Sequence, residues 1–269
     1  MAALAIIGCG WLGTAIANAY RGELVATTRS GARPPELQPR IPVVGFDVLG
    51  ATALPQPLAQ ARAWVVAIAP GPTQDRRALY VEGARRLGRW LPALARLVWL
   101  GSTSALPDVD GELGEDCFAW PDDDRGRVQR EAETVIDAAC ADAGVPLSLL
   151  RLGGLYGPGR ELARLYLRGE APAAPLPGDG MTATNLVHRD DAVAAVHAAI
   201  ELPRERSGVI HVVDGDHTPR REMLARACAA AGLPAPQWSA PAGPLRGKQV
   251  RSDRLGPWLG VVPRPRPGA

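Results

Sequence analysis

The chain has 269 residues, 46% of them hydrophobic and 22% charged, with 30 Lys and Arg against 28 Asp and Glu mixed along its length and a formal net charge of +2. That is globular composition, enough for one large domain or one domain with a lobe, and the lack of any block of like charge argues against a nucleic-acid or membrane-surface binder. No apolar run reaches the roughly 18 residues of a membrane span, and Met1 to Ile7 lacks the charged start of a signal peptide, so a soluble, cytoplasmic protein is expected.

Cys9, Cys117, Cys140 and Cys228 form no C-x-x-C pair and no metal-ligand spacing with the four histidines, so they read as reduced thiols, and no metal site is expected. Lys248 is the only lysine.

The first element is the apolar run Ala3 to Ile7, suited to a buried parallel strand. Gly8-Cys9-Gly10-Trp11-Leu12-Gly13 and an Ala-rich helix to about Tyr20 follow, the opening of a βαβ unit. Strand-like runs recur at Leu24 to Thr27, Val43 to Phe46, Ala63 to Ala69, Leu97 to Leu100 and Leu147 to Leu152. Helical or polar stretches separate most of them, so the expected fold is α/β, a Rossmann-type doubly wound, mostly parallel sheet. Arg125 to Ala143 carries the best amphipathic helix, with Val128, Ala132, Val135, Ile136, Ala139, Cys140 and Ala143 on one face.

After Leu152 the pattern loosens into Gly153 to Gly159 and a Pro/Ala-rich stretch from Ala171 to Pro177, where a smaller substrate lobe is expected to begin. Asn185 to His188 and Gly208 to Asp214 read as short strands returning to the main sheet, with Asp190 or Asp191 capping a helix to Leu202. The expected division is therefore 1–152 plus about 187–215 for the dinucleotide-binding domain, and 153–186 plus 216–269 for the lobe. A second amphipathic helix near Arg221 to Ala231 precedes a Pro-rich tail, Pro263 to Pro267, that is expected to fray at its end.

Gly8-x-Gly10-x-x-Gly13 supplies what a dinucleotide pyrophosphate needs: a tight turn, close backbone approach, and helix packed on strand with free N–H groups at its start. About 20 residues further on, where a carboxylate would hold the ribose diol of NAD, stands Thr27-Thr28-Arg29-Ser30. Arg29 with hydroxyl neighbours such as Ser30 suits a 2′-phosphate, so NADP(H) is expected over NAD(H); a solvated surface arginine is the plainer reading of the same residue.

With these residues in place the chain resembles the extended or atypical short-chain dehydrogenase/reductase family, including its NAD-dependent epimerase/dehydratase-like members. The resemblance rests on the glycine loop, on Gly101 to Leu106 as the serine/threonine strand end, and on Arg151-Leu152-Gly153-Gly154-Leu155-Tyr156-Gly157-Pro158-Gly159-Arg160, close to the family's RxxxxYGPGR segment. Asn185 to Asp191 and Gly208 to Asp214 match later family segments. It implies cofactor contacts from Gly8, Gly10, Trp11, Leu12 and Gly13, from Asp47 to the adenine, and from Ala69 beside the cofactor.

The chemistry departs from the family. Its members use a Tyr and a Lys four residues apart on the helix after the fifth strand, and alignment puts Arg125 and Gln129 at those positions. None of Tyr20, Tyr80, Tyr156 or Tyr166 is followed four residues later by lysine. The remaining catalytic candidates are Ser102 at the family's Ser/Thr position, Tyr156 on the Gly-Pro loop, and Arg125, a poor proton donor but able to bind an anion or a developing oxyanion. Gln129 is carried as a cofactor contact. His188 beside Asp190 and Asp191 reads as structural, and Cys9 as a small filler residue.

The expected function is an NADP(H)-dependent oxidoreductase or epimerase/dehydratase-like enzyme for a small polar metabolite, with a non-standard active site. A non-catalytic dinucleotide-binding sensor or regulatory protein, and cofactor-assisted lyase or isomerase chemistry, stay open. The partner is a small-molecule substrate, with no nucleic acid and no membrane; homodimer and monomer are both compatible with the sequence.

Overall fold

The computed structural model describes residues 4–91, 94–167 and 175–266. Ala3, Ala171 to Ala174 and the end of the tail from Pro267 lie outside them.

Each apolar run forms a short strand, and most of the strands build one parallel sheet, with two further two-stranded sheets, Gly154–Tyr156 with Leu186–His188 and Gly111–Leu113 with Lys248–Val250. In chain order the first half contains β1 (Leu4–Ile7), α1 (Trp11–Ala19), β2 (Leu24–Thr28), β3 (Val43–Gly45), α2 (Gln56–Ala59) and β4 (Ala63–Val66). A π-turn at Ala78–Glu82 runs into α3 (Gly83–Arg89), followed by β5 (Arg96–Ser102), a 3-10 turn at Thr103–Ala105, β6 (Gly111–Leu113), α4 (Asp124–Ala143) and β7 (Leu147–Leu152). The remainder contains β8 (Gly154–Tyr156), α5 (Leu162–Leu167), β9 (Leu186–His188), α6 (Arg189–Ile200), β10 (Gly208–Val212), α7 (Arg220–Ala230), β11 (Lys248–Val250) and α8 (Leu255–Leu259).

The main sheet has seven strands in the order β10-β7-β5-β4-β1-β2-β3, every pair parallel. Strands buried on both faces explain the near-continuous runs LAII, AWVV and LSLLRL. Two apolar layers cover the faces. One packs α1, α6 and α8 through Ile16, Val196 and Leu255 onto Ile6, Val65 and Leu150; the other packs α3 and α4 through Leu87 and Ile136 onto Ala5, Val66 and Trp99.

Chain direction across the sheet reverses between β1 and β4, the switch point where ligands of such sheets bind beyond the carboxyl ends. There the turn after β1 meets the turn after β4. A Cβ on Gly8, whose φ is +96°, would stand 2.8 Å from the Ala67 carbonyl oxygen, so only glycine lets the two turns touch.

Two expectations are corrected. β9 does not return to the main sheet: it pairs in parallel with β8, Tyr156 opposite His188, in a separate two-stranded sheet. The cap of α6 is neither Asp190 nor Asp191 but His188, whose Nδ1 accepts from the Asp190 N–H at 3.2 Å; the two carboxylates occupy the first turn, where they favour the helix dipole. No helix among the described residues is long and apolar enough to cross a membrane.

Candidate cofactor and active site

A cleft of about 470 Å³ opens over the switch point. Of the residues singled out in the sequence, Gly8, Gly10, Trp11, Leu12, Arg29, Asp47 and Ala69 line it. Thr28, Phe46, Tyr80, Gly101 and Arg160 join them.

The glycine loop divides its labour among three positions. Gly8 makes the turn, its N–H donating to Thr27 Oγ1 at 3.1 Å. Gly13 carries the helix contact, since a Cβ there would lie 2.4 Å from the Gly8 carbonyl oxygen. Nothing lies within 4 Å of the Cβ position on Gly10, which caps α1 without a side-chain hydrogen bond. The first N–H groups of α1 therefore face the open cleft, as a pyrophosphate requires.

Arg29 follows the last residue of β2, exposed, with no hydrogen bond or ion pair among the described residues. Ser30 lies just outside the cleft lining, its Oγ accepting from the Ala32 N–H at 3.3 Å. Asp47 turns one carboxylate oxygen to the Leu49 N–H at 3.1 Å. Cys9 is buried beside Thr14, and burial pushes its thiol up, against a role as reactive thiolate.

Trp11 joins the two halves of the molecule. Its Nε1 donates to the Pro158 carbonyl at 3.0 Å, and its ring packs against the guanidinium groups of Arg160 and Arg189 at 4.6 and 5.0 Å. This holds Arg160 at the cleft wall. Arg160 was part of the motif quoted from the sequence, but nothing local in that motif foretold its contact with Trp11.

Ser102, Arg125, Gln129 and Tyr156 lie outside the lining of this cleft. Ser102 ends β5, where its Oγ accepts from the Ser104 N–H at 3.2 Å and caps the 3-10 turn. Arg125 is exposed in the first turn of α4, a helix capped by Asp123 through a 2.9 Å bond from the Gly126 N–H. One turn on, Gln129 is 4% exposed, and its Oε1 has no hydrogen-bond partner. Ser104 Oγ, on the turn that packs against α4, is likewise buried without one. Buried polar atoms are normally paired, and these two lie on neighbouring elements, the 3-10 turn and α4.

One more turn along α4, Glu133 accepts from Arg151 Nε and Nη2 at 2.7 to 3.1 Å. Arg151 Nη1 lies 3.5 Å from His211 Nε2. Burial works to raise the Glu133 carboxyl, and the Arg130 charge opposes it. The ion pair locks α4 onto β7 and so sets where Gln129 and Arg125 stand.

Tyr156 faces the small lobe. It is 1% exposed, packed with Leu162, Leu186, Met223 and Leu224, and its Oη accepts from the Arg266 N–H at 2.8 Å. Burial raises the phenol. It borders a second cavity of about 60 Å³ with Thr184, Asp214, Asp216 and Arg266. Arg266 also bonds Asp191 at 2.7 Å and lies against His188 Nδ1, pinning the tail there.

Residues 5–213 match the profile described as the NAD dependent epimerase/dehydratase family. The chain belongs to that family. Among curated relatives of this epimerase/dehydratase chain, Protein YeeZ of Escherichia coli (strain K12) is 26% identical over 272 aligned residues, covering 95% of this chain and 93% of YeeZ. A 2′-dehydrokanamycin reductase of Streptomyces kanamyceticus is 32% identical over 148 residues, 52% of this chain and 42% of the reductase. Among solved structures, a UDP-glucuronic acid 4-epimerase from Bacillus cereus in complex with NAD superposes with a TM-score of 0.80 at 17% identity, covering 98% of this chain and 94% of that one. That likeness establishes the shared fold.

A nicotinamide dinucleotide is the group this family implies, and the cleft fits it. The open Gly10 face at the start of α1 and Arg29, which has no hydrogen bond or ion pair among the described residues, both line the cleft.

Proposed function

We propose that this chain is an NADP(H)-dependent oxidoreductase for a small polar carbonyl or imine compound, working with a non-standard active site. The observation that carries the cofactor preference is Arg29, which stands unpaired at the end of β2 where a ribose-binding carboxylate would otherwise be. A charge-assisted hydrogen bond from it to a 2′-phosphate is worth roughly 1.5–3 kcal/mol. The relative named as a 2′-dehydrokanamycin reductase supports reduction of a small polar compound.

The bound cofactor supplies a hydride at the nicotinamide ring. This chain's residues do the rest. Gly8, Gly10 and the start of α1 would cradle the pyrophosphate, Asp47 would face the adenine, and Gln129, buried on α4 outside the cleft lining, would support the ribose. Ser102 and Ser104 border the substrate side beyond β5, and Arg125 draws in an anionic or strongly polar substrate. Catalysis by placement survives loss of a helix-borne acid, whose usual contribution is about 10²- to 10⁴-fold.

The test is a panel of aldehydes, ketones and imines incubated with protein and NADPH. Multiple turnovers on at least one compound are expected; oxidation of no NADPH across the panel would contradict the enzyme reading. A second reading, a dinucleotide-binding sensor, is favoured by Arg125 and Gln129 standing where the family's Tyr and Lys would be. It predicts NADPH binding without turnover.

A further inference from the structure

The only lysine of the chain is carried by the fold back to the carboxyl end of the sheet. Lys248 opens β11, which lies parallel to β6 with Lys248 opposite Gly111. Asn185 fastens that strand: its Nδ2 donates to the Lys248 carbonyl at 2.9 Å and its Oδ1 accepts from the Val250 N–H at 2.7 Å. The Lys248 side chain reaches the loop leaving β5, where Nζ donates to the Leu106 carbonyl at 3.0 Å. Leu106 closes the 3-10 turn that Ser102 caps at its start, so the amine is tied to the turn that carries Ser104.

The charged groups around Nζ are Asp108 on the loop, Asp123 at the cap of α4, and Arg125 in its first turn. On the β6 side, Asp110 accepts from the Gly247 N–H and Glu112 pairs with Arg251 at 3.3 Å, so both are engaged elsewhere. An ammonium has three N–H donors, and Leu106 takes one; no second protein acceptor is present among the described residues. Burial lowers the amine, with Asp108 and Asp123 opposing and Arg125 assisting. A lysine in such surroundings gives up a proton more readily than a solvated one.

We propose that Lys248 is the proton donor of this active site, delivered from the C-terminal lobe in place of a donor on α4. The proposal rests on the oxidoreductase reading above. As the carbonyl carbon accepts hydride from a bound dihydronicotinamide, the C=O π pair moves onto oxygen, and that oxygen takes a proton from Nζ. Carbonyl is reduced to alcohol, dihydronicotinamide is oxidised, and a proton from water restores the ammonium. For an imine the nitrogen takes the proton instead. Arg125, close enough to act on the amine electrostatically, holds the developing negative charge while the proton moves.

Having one lysine makes the test clean. Reductive methylation with ¹³C-formaldehyde labels Lys248 and the chain's amino terminus, and the Lys248→Arg variant identifies which NMR signal is which. The Lys248 signal is expected to titrate below the same signal in urea-unfolded chain and to shift when NADP⁺ saturates the protein. A midpoint equal to the unfolded one, with no response to NADP⁺, overturns the proposal whatever the activity.

On a compound that wild-type protein reduces with NADPH, Lys248→Met is expected to lose about 10²- to 10⁴-fold in kcat. NADPH affinity should stay within twofold, and the alkaline fall in the pH profile should vanish, because only the protonated amine donates. Lys248→Arg should not restore kcat, since guanidinium keeps its proton. Lys248→Met with kcat within threefold of wild type overturns the donor role and leaves the oxidoreductase reading standing. Wild-type inactivity across the whole panel overturns that reading, and the donor role falls with it.

Discussion

In the proposed function, Arg29 is the one side chain that sets cofactor choice. It follows a strand buried at Leu24 to Thr27, so its backbone position is dictated by the sheet while its exposed side chain lines the cleft. Replacing it should leave the fold intact and act on the ligand alone. Arg29→Ala is expected to reduce the NADPH/NADH affinity ratio by about 10- to 150-fold, the range of one charge-assisted bond. Parallel titrations of both cofactors check this, and an unchanged ratio would remove Arg29 from the site. Gly13 is the opposite case. It lies outside the cleft lining, yet any Cβ would collide with the Gly8 carbonyl, so it serves the site by letting α1 close on β1.

At the scale of elements, local pattern and long-range pairing part company. The main strands were legible because a strand buried on both faces needs an unbroken apolar run, and β1, β4 and β7 have one. α4 was legible from its apolar stripe. β9 was misplaced because its partner β8 is three residues long and begins in glycines, with no periodicity to announce it. In so short a strand, which face a side chain takes depends on the pairing, so Tyr156 reads from sequence as a cleft residue while its side chain packs into the lobe. The lone lysine was visible at once, but its arrival beside Leu106 depends on β11 pairing with β6, far away in sequence.

The end of β10 carries a second consequence. Asp214 follows Val213 into the lobe cavity, where burial raises its carboxyl to about 6. The folded chain therefore holds this proton more tightly than the unfolded one, and the stability it contributes at low pH is lost as pH rises through about 6. Asp214→Asn removes the ionisation while keeping an oxygen for the Asp216 N–H, which bonds it at 3.1 Å. The variant is expected to melt above wild type at pH 7.5, with the difference closing toward pH 4. Thermal melts across that range check it; a constant difference would show that Asp214 is not the titrating group.

For the molecule as a whole, one sheet edge collects everything the function needs. The turns after β1, β2 and β4 line the cleft, Trp11 ties it to Pro158 and Arg160, and in the proposed function the turn after β5 and the start of α4 make its substrate side. Family membership accounts for the first part; in the proposed function Arg125, Gln129 and Lys248 shape the second. The direct test of this account is a titration with NADPH and separately with NADH, following energy transfer from tryptophan, Trp11 being in the cleft wall, to the bound nicotinamide. Submicromolar NADPH binding with NADH at least tenfold weaker is predicted. Equal affinities, or no binding of either, would contradict it.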